Sequence, residues 1–98
     1  MIFLIEKIGN RNKIEVFVYH TLEDLAQRVD WQDILDSSLK ILDEDGKLYV
    51  WDDSKKNEVG TVFNYSFKSN GTDFELLRKC TTTFSQLGQP DNFEIEIV

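Results

Sequence analysis

Asp43, Asp45, Gly46 and Asp52 stand almost at the spacing of a calcium-binding loop. Such a loop sets carboxylates at alternate positions around an obligatory glycine and closes with a bidentate glutamate. With Gly46 as that glycine, Asp43 and Asp45 fall on ligand positions, but the first ligand position is Ile41 and the closing one is Asp52, a shorter acid. The flanks read as strands, where the loop requires helices, so the segment is expected to be a hairpin and not a metal site. His20 and Cys80 are the only histidine and the only cysteine, sixty positions apart, which is too few nitrogen and sulfur ligands for a transition metal. Cys80 lies on an apolar helical stripe, the setting of a buried and inert thiol, not of a nucleophile. No phosphate-cradling glycine loop and no G-x-S-x-G elbow is present. The adjacent acids Glu23/Asp24 and Asp52/Asp53 fit a helix start and a solvated loop better than an acid–base pair. The expectation is a protein without catalytic residues, cofactor or metal.

The elements that position these residues follow from periodicity. "IFLIEKI" (2–8) and "KIEVFVY" (13–19) are β-branched and aromatic runs around the turn residues "GNRN". Pairing position 8 with 13 sets Phe3/Val18, Ile5/Val16 and Lys7/Ile14 on one face, and Ile2/Tyr19, Leu4/Phe17 and Glu6/Glu15 on the other. Both faces are largely apolar, so the hairpin is either central and covered on both sides or holds one face for a partner, and centrality is the favoured reading. Glu6 opposite Glu15 places that end in solvent. Thr21 can cap a helix over about 21–37, broken near Asp30, with Leu22, Leu25, Ala26 and Val29 as its stripe.

Asp45-Gly46 predicts a two-residue type I′ turn that pairs Glu44 with Lys47, Leu42 with Tyr49, Ile41 with Val50 and Lys40 with Trp51. "TVFNYSFK" (61–68) alternates as a half-buried strand, and "SNG" (69–71) reads as a turn. Thr72 and Glu75 resemble a capping box, followed by Phe74, Leu77, Cys80, Phe84 and Leu87 at helical steps and Gly88 at the C-terminus. The strand-prone Thr81–Thr83 run is the weak point of that helix. "FEIEIV" (93–98) is a last strand. The order ββαβββαβ predicts one α+β domain over 1–98: a mostly antiparallel sheet of about five to six strands, with two helices on one side.

Charge narrows the function classes. Net charge is −7, concentrated in residues 21–58 at net −6 and 91–98 at net −3. Direct nucleic-acid binding and adhesion to anionic membrane are disfavoured, since both need Lys and Arg against phosphate. A basic protein partner remains open. The lone cysteine fits a reducing compartment, no run approaches transmembrane length, and "MIFLIEKI" lacks the features of a signal peptide, so a cytoplasmic protein is expected.

"MIFLIEKIGNRNKIEVFVYHTLEDLAQRV", a short-turn hairpin and then a Thr-led amphipathic helix, resembles the opening of a ubiquitin-like β-grasp domain. The remaining two thirds depart from that pattern, with a second capped helix, an extra strand and no C-terminal Gly-Gly, so conjugation is not implied. What remains is surface. Trp31, Tyr49 and Trp51 lie within the acidic middle segment, with Asp52 and Asp53 beside the last of them, and aromatics ringed by charge are common at protein–protein hot spots; the other reading packs the two Trp between helix and hairpin as part of the core. The expected function is a non-catalytic protein-interaction or regulatory module from a bacterial or phage setting. The alternative is an acidic decoy that imitates nucleic acid in a basic groove, and self-association through a strand edge is also open.

Overall fold

A computed structural model describes residues 1–7, 12–28, 39–51 and 67–96. The described elements are β1 (Ile2–Lys7), β2 (Lys13–Tyr19), α1 (Leu22–Arg28), β3 (Leu39–Asp43), β4 (Lys47–Trp51), β5 (Phe67–Thr72), α2 (Phe74–Gln86) and β6 (Asn92–Glu96). The class and order are those expected: an α+β chain with a six-stranded, antiparallel sheet ordered β5-β4-β3-β1-β2-β6. No helix among the described residues is long and apolar enough to cross a membrane.

The first hairpin has the expected register, from Ile2↔Tyr19 to Lys7↔Ile14. β1 also pairs with β3, so it is central. Successive strand residues point to opposite faces, and both sets on β1 are buried. Phe3 and Ile5 join Ile14, Val16, Leu42, Phe93 and Cys80 in one cluster, whereas Ile2 and Leu4 join Ile41 and Leu25 in another. Cys80 belongs to α2 and Leu25 to α1. The helices therefore cover opposite faces of the sheet, a correction to the expected one-sided packing. The apolar content of both faces of the first hairpin already requires two covers.

Three further expectations change. The β3–β4 register is Ile41↔Tyr49 and Leu42↔Leu48, one residue from the register of a two-residue turn. Asp45 does not take positive φ; only Gly46 does, at 84°. The connection is thus a three-residue loop with glycine in the left-handed position. The Asp43 carboxylate explains the choice, since its Oδ1 accepts from the N–H groups of Asp45 and Lys47, both at 2.9 Å, and so holds the turn from its first residue. One residue of slip reassigns every side chain in β4: Leu48 joins the α2 face and Tyr49 the α1 face.

Ser69, Asn70 and Gly71 do not form a turn; they lie within β5, paired to β4 across a register shift between Lys47 and Tyr49. Gly71, at φ 81°, supplies the positive φ that such an irregularity favours. The N-cap of α2 is Asp73, whose Oδ1 accepts from Leu76 N at 3.0 Å, one residue beyond the expected Thr72. Thr21 does cap α1, through Asp24 N–H to Oγ1 at 3.1 Å. The Thr81–Thr83 run is helical, with the Thr81 hydroxyl donating to the Leu77 carbonyl at 2.9 Å instead of competing for a strand. The expected second part of the first helix, the strand residues 61–66 and Ile97 lie outside the described residues.

On the α2 face, Phe3, Phe84 and Phe93 form an aromatic triad, with Phe3 edge-on to the other two at 6.0 and 6.4 Å. The Asp45-Gly46 tip reaches this layer from the side: Asp73 N–H donates to Gly46 O at 2.8 Å, and the Phe74 ring lies against Gly46.

Candidate functional site

The acidic stretch around Gly46 is employed in its own turn. Besides the two backbone donors at Oδ1, Asp43 accepts from the Tyr49 hydroxyl at Oδ2, 2.9 Å away. That hydrogen bond, partial burial and the charges of Asp43 and Asp45 raise the Tyr49 pKa above its usual value near 10.0. Tyr49 is half-buried and packs against the Ile2, Leu4, Leu25 and Ile41 cluster. Of the other expected contact residues, Trp31, Asp52 and Asp53 lie outside the described residues, and the Trp51 backbone pairs with Phe67 in the ladder.

Cys80 is fully buried, and its thiol is pushed up to about 12, first by burial and then by the Asp73 carboxylate. A thiol so far above neutrality holds almost no thiolate at physiological pH. His20 is exposed at the junction of β2 and α1. Among the described residues, no group of three His, Cys, Asp or Glu side chains is disposed to hold a metal ion.

The two faces of the sheet carry different chemistry at the end where β1 finishes. On the α1 face, Glu6 is directly across from Glu15, and Glu15 is directly across from Glu94. Three carboxylates thus stand in one row over β1, β2 and β6, with neighbouring Cβ atoms about 5 Å apart by the geometry of antiparallel pairs. Lys13 answers part of this charge, with Nζ 3.8 Å from the Glu94 carboxylate. Glu6 and Glu94 are exposed and Glu15 is half-buried. The Glu6/Glu15 half of the row was visible in the hairpin pairing. Glu94 was not, because no local pattern indicates which strand β6 will join.

On the α2 face, the same strand ends form a groove with a cavity volume of about 390 Å³. Its floor is Ile5, Ile14 and Ile95, and one wall is the flank of α2 bearing Glu75, Leu76 and Lys79. Lys7 and Lys40 rise at its β1–β3 end. Sequence reading missed this site, since its lysines come from separate strands of an acidic chain. The chain matches no family model, no curated protein and no solved structure.

Proposed function

We propose that this chain is a non-catalytic binding module whose partner is a basic segment of another protein, docked on the Glu6, Glu15 and Glu94 row. The observation that carries this reading is the row itself. Directly opposed like charges destabilise a sheet, by roughly 0.2–1 kcal/mol per pair, and here two such pairs share one central residue. A partner bearing Lys or Arg would convert that cost into attraction and speed encounter with an acidic chain of net charge −7. The aromatics Trp31 and Trp51 remain contact candidates, and a bacterial or phage cytoplasm is the proposed setting.

The test immobilises the wild-type chain and the triple variant Glu6→Gln, Glu15→Gln, Glu94→Gln, passes a lysate of the source organism over both, and elutes with a salt gradient. A protein retained by the wild type and lost by the variant supports the reading. The variant removes repulsion, so it should melt no lower than the wild type, and lost binding cannot then be ascribed to unfolding. Equal retention by both removes the row from the interface. The decoy reading shares this partner chemistry and is separated from it by competition. Duplex DNA displaces the partner from a decoy surface and leaves an ordinary protein interface in place.

A further inference from the structure

We propose that the groove on the α2 face binds a small amphipathic carboxylate, with its carboxylate at Lys7 and Lys40 and its hydrocarbon body over Ile5, Ile14, Ile95 and Leu76. This site is independent of the acid row, which lies on the other face of the same strands. The register supports the placement: Lys40 is directly across from Ile5, Lys7 is directly across from Ile14, and Ile14 is directly across from Ile95. Lys7 and Lys40 are therefore diagonal neighbours on one face, about 7–8 Å apart along the backbone lattice. Two ammonium groups at that spacing can converge on one carboxylate.

The other charges of the groove have partners or lie elsewhere. The Asp73 carboxylate caps the Leu76 N–H. Glu75 pairs with Lys79 at 3.9 Å. Glu96 belongs to β6, two strands away from Lys7 and about 10 Å across the sheet. No ion pair reaches Lys7 or Lys40 among the described residues. The apolar body of a ligand would thus run away from Lys7 and Lys40 over an isoleucine floor. The volume suits a small ligand: ligand cavities begin near about 300 Å³. At about 30 Å³ per liquid water, the groove holds roughly a dozen waters, or a chain of about ten methylene-sized groups with space left.

The experiment titrates sodium decanoate, below its micellar range, into the isotopically labelled full chain and follows methyl resonances by NMR. The expected result is saturable shifts confined to Ile5, Ile14, Ile95 and Leu76, with octanoate weaker by up to about fourfold per methylene removed. The double variant Lys7→Gln, Lys40→Gln changes exposed side chains and should keep its fold. It should bind decanoate about tenfold or more weakly, as loss of a charge-assisted contact implies, and should bind uncharged decanol as the wild type does. Equal affinity for decanoate and decanol in the wild type overturns the proposal. So does an unchanged decanoate affinity in the double variant, or saturation at residues outside the groove.

Discussion

The two faces of the sheet are built from the same strands yet are closed in different ways. The α2 face is filled by a thirteen-residue helix that sets Leu76, Leu77, Cys80 and Phe84 against Phe3, Val16, Leu42 and Phe93. The α1 face is covered, among the described residues, by a seven-residue helix whose buried anchors are Leu25 and Ala26. On the α1 face the Ile2–Leu4 end is buried and apolar, and the Glu6 end carries the acid row. Truncation should expose this difference. Phe3→Ala removes the ring shared by Phe84 and Phe93 and should cost about 3–5 kcal/mol, whereas Leu25→Ala should cost about 2–4 kcal/mol. Denaturant melts of both variants check the ordering. A larger loss at Leu25 would show that the α1 face, not the aromatic triad, dominates the core.

A second contrast concerns the hairpin tip, which belongs to the sheet but is held by α2. A Cβ at Gly46 would sit 2.6 Å from Phe74 Cδ1, at a φ of 84° that L-residues avoid. Gly46→Ala should therefore cost about 2–3 kcal/mol, of which roughly 1–2 kcal/mol is backbone strain. Phe74 is 62% exposed, so its ring can be removed without opening the core. In the Gly46→Ala, Phe74→Ala double variant the steric part should vanish and the backbone part remain. Additive costs would show that the ring yields freely and that only the dihedral matters.

The faces also differ in why their titrating groups are shifted. Cys80, on the α2 face, is raised from 9.0 to about 12 chiefly by burial. Tyr49, on the α1 face, is raised chiefly by its hydrogen bond to Asp43. Both groups hold their proton more tightly folded than unfolded. Their contribution to stability is complete below the unfolded values and falls as pH rises through the folded ones, for Cys80 from about pH 9 to 12 and for Tyr49 from about pH 10 upward. Asp43→Asn should lower the Tyr49 midpoint, read by ultraviolet titration of the phenol, and leave the alkaline loss due to Cys80 unchanged. The same variant should cost about 1 kcal/mol through the weakened turn. A Tyr49 midpoint that does not move would assign its shift to burial alone.

Much of this fold was legible in the sequence because it rests on local pattern. The alternation of Ile2–Lys7 and Lys13–Tyr19 set the central register, and the helical steps from Leu77 to Phe84 survived three threonines. The errors fell where a side chain decides between close backbone alternatives. Asp43 turned a two-residue loop into a three-residue one, and Asp73 took the cap from Thr72. The sites were less legible, since each is a coincidence of distant strands: Glu94 meets Glu15, and Lys40 comes beside Lys7, only through the order β3-β1-β2-β6.

The smallest expected effect bears most directly on the face that carries charge. Glu15 faces Glu6 on one side and Glu94 on the other. Glu15→Gln keeps the shape and removes both repulsions, so it should stabilise the chain by a few tenths of a kcal/mol, roughly 1–3 °C in Tm for a domain of this size. Salt separates this cause from packing. Raising ionic strength screens the wild-type repulsion and leaves the variant with nothing to screen, so the gap between the two melts should close toward 1 M salt. A gap that persists would mean that the amide packs better than the carboxylate. In that case the row costs the fold nothing, and the physical motive for a basic partner disappears with it.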